Sequence, residues 1–303
     1  MQQIIRFFLW LLQTFLNGFY FAAANRDIRR NVPASCVEYW TLAVRLKARK
    51  WFGWKHKPEK PFSILGMKLY AYSVEALSLL VQEIFLNRQY AIELSSDTPL
   101  IVDCGSNIGV SILFFKKLYP RARVIGFEPD PQSFQMLSRN IRENGLQDIT
   151  IHNMAVAARS GEITFYSLPN KPGSLLASTV PGRINGEAFQ VPCVTLSSMM
   201  PGPVDLLKLD IEGAEVEVIR ELAASDALGR IKTLLLEYHH HVSQDEDLAG
   251  MLRILEDYDF TFDVAAALPP RPGQFQDILL KSYKRGTAPG ARPRLRLAVG
   301  EAR

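Results

Sequence analysis

The residues Asp103-Cys-Gly105-Ser106-Asn107-Ile-Gly109 follow the apolar run Leu100 to Val102 and precede a helix-spaced apolar stretch from Val110 to Tyr119. Strand, glycine turn and helix in that order put a helix start, with its free N–H groups, beside a ligand. The spacing is GxxxG rather than the GxGxxG that cradles a pyrophosphate, and an aspartate stands before it. A carboxylate there would repel a phosphate and suit a ligand with an amine and a sulfonium. S-adenosylmethionine carries both, and Asp103 is expected to hold its methionine end through water or backbone contacts. Gly105 is expected to let the backbone turn beneath the ligand with no Cβ in the way, and Gly109 to let the helix pack close. Ser106 and Asn107 complete the expected cofactor loop.

Three further groups of residues join it. Glu128 stands 19 residues after Gly109, at the end of the next apolar run, where an acid accepts hydrogen bonds from both ribose hydroxyls. Ile149 to Asn153 leads to Ala155, placed where an adenine ring would lie; Asn153 serves either the adenine edge or the turn. The block Lys208-Leu-Asp210-Ile-Glu212-Gly213-Ala-Glu215 ends a fourth apolar run. Methyl transfer from sulfonium to hydroxyl is an in-line displacement, which needs alignment and gains from a base. Strand alternation puts Lys208 and Asp210 on one face. Asp210 is read as positioning the reacting groups and Glu212 as the base, against the plainer reading of a Lys208–Asp210 ion pair. Glu215 reads as an ordinary helix-start residue. In Glu237-Tyr238-His239-His240-His241, His239 is a further proton acceptor, although a solvated histidine run is the simpler reading. No metal is expected, because neighbours on one strand need more ligands to form a site; Asp210 and Glu237 are the residues that could supply them in the alternative, metal-assisted reading.

The elements that must position these groups alternate. Apolar runs at 100–104, 123–127, 149–153, 204–209 and 232–237 alternate with helical periods, including 131–144, 214–224 and about 245–258, and two terminal strands follow at 260–265 and 276–283. This is the pattern of an α/β, Rossmann-like doubly wound sheet, mostly parallel, of about seven strands. Ligands of such sheets sit beyond the strands' carboxyl ends, where Asp103, Glu128 and Asp210 fall. The polar stretch 159–187 holds an expected hairpin over 162–168 and a glycine-rich loop, whose segment Lys171 to Ser178 suits a lid.

Four segments are expected: an N-terminal apolar and basic helical extension (1–60), a helical lead-in (61–99), the catalytic domain (100–283) and a disordered Gly, Pro and Arg-rich tail (284–303). The apolar segment Ile4 to Ala24 admits four readings: a signal peptide, a membrane span, an amphipathic surface helix, or a helix packed on its own core or on a partner subunit. Basic residues and tryptophans over 26–60 suit an anionic membrane surface, and nearly as well a solvated helical arm. Net charge is +4, with no nucleic-acid motif and no expected nucleic-acid partner. Three scattered cysteines argue against a disulfide framework and for a reducing compartment.

Through Ile101-Val-Asp-Cys-Gly-Ser-Asn-Ile-Gly109, Gly126-Phe-Glu-Pro129, Asn153-Met-Ala-Val156 with Gly161, and Lys208-Leu-Asp-Ile-Glu-Gly-Ala-Glu215, the chain resembles the FkbM-type methyltransferases. The stretch Glu83 to Tyr90 resembles that family's lead-in helix and turn, and the likeness runs from about Tyr72 to Tyr283. It implies metal-free methylation of a hydroxyl on a sugar or natural-product scaffold. Cys104 departs from the pattern, where a hydrophobic or small residue is commoner. A Rossmann oxidoreductase is disfavoured by the missing GxGxxG, and a binding or scaffold module by the three acids together. The expected partner is a small-molecule or glycan acceptor. Since the cofactor is made in the cytosol, the expected location is cytoplasmic, with the inner membrane face as the surface residues 1–60 would meet.

Overall fold

A computed structural model describes residues 2–52, 56–168, 177–178, 186–241, 247–267, 271 and 274–285. The chain opens with a helical hairpin, α1 (Gln2–Ala24) and α2 (Val32–Phe52). One face of α1 packs on the protein: Phe21 and Ala22 are fully buried, and the Asn25 amide donates to the carbonyls of Phe21 and Phe85 at 2.8 and 2.9 Å. Ala22, Ala23 and Ala24, which a signal-peptide reading of this segment would take as a cleavage-like end, lie within the last turn of the helix. No helix among the described residues is long and apolar enough to cross a membrane. The lead-in is not wholly helical. A short hairpin, β1 (Phe62–Ile64) and β2 (Met67–Leu69), precedes α3 (Val74–Leu80), which continues as a π-helical turn over Val81–Leu86. Leu65 and Gly66 both have positive φ, as a two-residue hairpin turn requires.

The central sheet is built from β3 (Leu100–Cys104), β4 (Arg123–Phe127) and β5 (Ile149–His152), with α4 (Val110–Leu118) and α5 (Pro131–Glu143) between them. A second sheet comprises β6 (Ala155–Val156), β7 (Gly161–Ser167), β8 (Ala177–Ser178) and β9 (Glu187–Val194), after which comes the short α6 (Leu196–Met199). The central sheet resumes with β10 (Leu206–Leu209), then α7 (Glu215–Ala224), β11 (Thr233–His240), α8 (Leu248–Asp257), β12 (Phe260–Ala266) and β13 (Gln276–Lys284). Strand order is β12-β13-β11-β10-β3-β4-β5, with β13 antiparallel to both neighbours and the others parallel. The expected seven-stranded, Rossmann-like α/β sheet is therefore present. The chain leaves β3 toward β4 and β5 and returns to β10 on the other side, so the switch in strand order lies between β3 and β10, where such sheets bind ligands.

Both β3 and β10 are buried at every residue, as central parallel strands are. Alternation along β3 divides the core. Ile101 packs with α3, α4 and α5, while Val102 and Cys104 pack with α7 and α8 on the opposite face. Cys104 is thus a small apolar filler. Gly109 has φ +89°, and a Cβ there would lie 2.6 Å from Leu137 Cδ1 of α5. Its expected role in close helix packing is what the geometry shows. Gly109→Ala should cost about 1–3 kcal/mol through the left-handed backbone and the clash, read as a lower denaturation midpoint.

The stretch 159–187 differs most from expectation. β7 pairs not within 162–168 but with β9, in register Phe165 to Phe189, and β6 and β8 complete a four-stranded sheet. β9 alternates exposed and buried residues around Pro192, a proline that weakened its strand signal. Of the expected lid, Lys171 to Ser178, residues 171–176 lie outside the described residues and the last two form β8; the expected tail, 284–303, lies outside them from 286.

Candidate active site

The loop after β3 is tied down by its own backbone. The N–H groups of Gly105 and Ser106 both donate to Phe127 O, at 3.0 and 2.9 Å. Asn107 N–H donates to Glu128 Oε2 at 2.7 Å, and Ile108 N–H to the Asn107 side chain at 2.8 Å. Four consecutive N–H groups of the loop are therefore already satisfied within the protein. Gly105 also joins two loops. At φ +82° a Cβ would lie 1.8 Å from the backbone oxygen of Asp210. The glycine lets the β3 and β10 loops touch, and it lines the cavity described below.

Asp103 is fully buried. On the Ile101 face of β3, its carboxylate accepts from Ser111 Oγ at 2.5 Å and lies 3.4 Å from Lys208 Nζ. It does not line the cavity, so its contact with the cofactor is not direct; it fixes the start of α4 and holds Lys208. The Lys208 ammonium is 3.0 Å from Asp210 Oδ2 and donates to the carbonyls of Gly105 (2.7 Å) and Cys104 (3.3 Å). Burial opposes its charge, but Asp210 and Asp103 outweigh that and keep it above the ordinary lysine range. The Lys208–Asp210 ion pair is therefore real, and Asp210 nonetheless lies on the cavity wall.

That cavity opens beyond the ends of β3, β4 and β10. With its solvent-facing mouth it encloses about 1050 Å³. Gly105, Ser106, Asn107, Glu128, Ala155, Asp210 and Glu212 all line it, so seven of the expected site residues converge. Glu128 is 5% exposed, and burial pushes its carboxyl up to about 8, against the N–H groups of Asp130 and Asn107. Those two donors, at 2.9 and 2.7 Å, occupy one lone pair on each oxygen. The second lone pairs remain for the two hydroxyls of a ribose. Asn153 resolves toward the turn: its amide donates to the carbonyls of Glu128 and Pro129 at 2.9 and 3.1 Å, and it is not part of the wall. Met154 and Ala155 stand there instead. These features fit S-adenosylmethionine: an acid for the ribose, an apolar shelf for the adenine, and two carboxylates where a cationic end would sit.

Beside Asp210 lies a group the sequence reading underrated. Glu215, 1% exposed, does begin α7, but its Oε1 also accepts from the N–H groups of Ile211 (3.2 Å) and Gly213 (3.0 Å). The same oxygen accepts from His239 Nδ1 at 2.8 Å. Glu215 thus braces a loop in which Glu212 takes the unusual φ of +61°. His239 is buried, not solvated; only His241, past the strand end, is exposed. His239 Nε2 lies 3.3 Å from Glu212 Oε2 and 3.6 Å from Asp210 Oδ1. Burial alone would lower the imidazole, but Glu215, Glu212 and Asp210 raise it to about 10. At neutral pH the ring therefore already carries its proton, and it cannot be the resting proton acceptor. Burial and Asp210 likewise push Glu237 up to about 8. Asp210, Glu212 and His239 offer donor atoms within 4.8 Å of one another, a set that could hold a divalent cation once Nε2 gave up its proton. The reading also missed Leu80, Ile84 and Tyr90 of the lead-in and Phe165 of β7, all on the wall; only the likeness over Glu83 to Tyr90 hinted at the first group.

A Rossmann-like sheet with a buried acid after its second strand and carboxylates at the switch point fits the methyltransferase class. The model of the Methyltransferase FkbM domain matches residues 103–262, more than half of the chain. The chain belongs to the FkbM methyltransferase family, and S-adenosylmethionine is its cofactor. Relatives include the methyltransferase sdnD of Sordaria araneosa, 30% identical over 186 residues, covering 51% of this chain and 72% of that one. The 2-O-methyltransferase NoeI of Sinorhizobium fredii is 25% identical over 217 residues, covering 66% and 86%. A crystal structure of Methyltransferase FkbM from Methylobacillus flagellatus is similar at 19% identity and a TM-score of 0.44, covering 84% of this chain and 59% of that one.

Proposed function

We propose that this enzyme moves a methyl group from S-adenosylmethionine to a hydroxyl on a sugar, glycolipid or secondary metabolite. The observation that carries the reading is the pair of carboxylates, Asp210 and Glu212, on the cavity wall, held by Lys208 and His239. When bound, the cofactor supplies an electrophilic methyl on a sulfonium. Gly105, Ser106 and Asn107 shape its bed, Glu128 takes the ribose, and Ala155 lies under the adenine. Asp210 orients the acceptor hydroxyl, Glu212 takes its proton, and the His239 imidazolium holds both carboxylates in place as a positioning residue. NoeI's name, a 2-O-methyltransferase, supports oxygen as the methylated atom. Availability of the cofactor supports a cytoplasmic site of action.

Calorimetric titration with S-adenosylmethionine tests the cofactor site. Glu128→Ala should weaken binding about 10–100-fold, the loss of two hydrogen bonds to the ribose, while NAD should not bind. Failure of the folded protein to bind S-adenosylmethionine would favour an inactive scaffold. Turnover of a hydroxylated acceptor should survive a chelator, because a proton already occupies the His239 nitrogen that a metal would need. Loss of turnover in the chelator, restored by one divalent cation, would assign the cluster to a metal instead.

A further inference from the structure

The α1–α2 hairpin buries one face and leaves the other apolar. Phe8, Leu12, Phe15, Leu16 and Phe19 fall at helical spacings of three and four and form one stripe; Phe8 is 62% exposed, Leu12 57% and Leu16 52%. The stripe continues onto α2. Trp40 stacks on Phe15 at 5.2 Å and meets Phe19 edge-on at 5.7 Å, and Val37 and Val44, on either side of it, are more than half exposed. Gly18 makes this junction possible, since a Cβ there would lie 2.0 Å from Trp40 Nε1. A contiguous apolar surface of this kind on a water-facing helix pair needs a cover.

Charge indicates which cover. Residues 1–60 carry eleven Lys and Arg against three Asp and Glu, a net +8 in a chain whose total is +4. No acid precedes Asp27. Two copies meeting through this segment would bring two strongly positive surfaces together, whereas an anionic bilayer complements it. The helix is not one that spans, so its apolar stripe would lie in the interface plane. We infer that the α1–α2 hairpin seats the enzyme on an anionic membrane surface, with the stripe from Phe8 to Phe19 inserted among the headgroups.

The hairpin is fixed to the site. The Asn25 amide donates to Phe85 O in the π-helical turn, and Leu80 and Ile84 of the same segment line the cavity. The membrane-seating hairpin and one wall of the cavity therefore belong to one packed unit. Docking itself does not depend on the methyl-transfer reading, because vesicle binding is measured without an acceptor.

The test uses the full chain and vesicles of phosphatidylcholine, alone or mixed equally with phosphatidylglycerol. All four tryptophans lie in residues 1–60, so intrinsic emission reports this segment alone. The protein should co-sediment with the mixed vesicles, with a blue shift in emission, and only weakly with phosphatidylcholine. Phe8→Ser/Leu12→Ser/Leu16→Ser should lower partitioning at least about tenfold, and so should Arg26→Glu/Arg30→Glu, each with S-adenosylmethionine binding intact as the folding control. Equal binding to both vesicle types, or partitioning unchanged by both variants, would overturn the inference. So would a wild-type dimer by light scattering that ignores vesicles and becomes monomeric in the apolar variant.

Discussion

Replacing Lys208 with methionine is expected to destabilise the fold by about 3–5 kcal/mol, the cost of breaking a buried ion pair from one side. The ammonium is 2% exposed and touches four acceptors: Asp103, Asp210 and the carbonyls of Cys104 and Gly105. Methionine fills much of the volume but leaves the fully buried Asp103 carboxylate facing no cation. Asp103 and Lys208 stand opposite one another on paired strands, so the damage lies at the switch point itself. The melting temperature should fall by about 10 °C, taking about 2–4 °C per kcal/mol for a chain of this size. Adding Asp103→Asn to the methionine variant should recover part of the loss, because the amide needs no counter-charge. A methionine variant that melts with the wild type would show that the pairing contributes nothing.

Glu215→Gln should lower kcat by about 100-fold or more, within the range for loss of a positioned proton-transfer group, with the affinity for S-adenosylmethionine little changed. The amide oxygen can still accept from Ile211 and Gly213, so the loop should persist. What disappears is the charge that, with Glu212 and Asp210, raises His239 to about 10. The ring then loses its proton nearer neutrality, and its grip on the two carboxylates weakens. A purely structural Glu215 would alter stability without moving the pH profile. Linkage gives an independent readout. His239 has its pKa raised on folding, so its contribution to stability is complete below the unfolded value of about 6.5 and disappears as pH rises through about 10. Glu128 and Glu237, both raised to about 8, act in the same direction from about 4.5 upward. Denaturation at pH 6, 8 and 10, round values in that window, should show stability falling throughout in the wild type. The slope above pH 6.5 should be shallower in Glu215→Gln. Equal slopes would remove His239 from the account.

Sequence alone determined the order of strands and helices, because burial on both faces of a parallel sheet writes continuous apolar runs such as Leu100 to Cys104 and Leu206 to Leu209. It also determined that a loop, an acid and a carboxylate-bearing turn meet at the strands' carboxyl ends, since the doubly wound topology leaves one edge for them. Glu128 was legible for that reason. Tertiary structure alone decided how those residues divide the work. Asp103 and Asp210 looked alike as acids at strand ends, yet Asp103 lies within β3, buried beneath α4, whereas Asp210 lies past the end of β10 on the cavity wall. Asn153 could have faced adenine or the turn until the carbonyls of Glu128 and Pro129 came within its reach. Glu215 and His239 are 24 residues apart, on different elements, and no local pattern marks two side chains as partners when packing, not spacing, brings them together. Their contact turns a histidine that read as a base into a buried cation, and only a folded sheet can place three carboxylates around it.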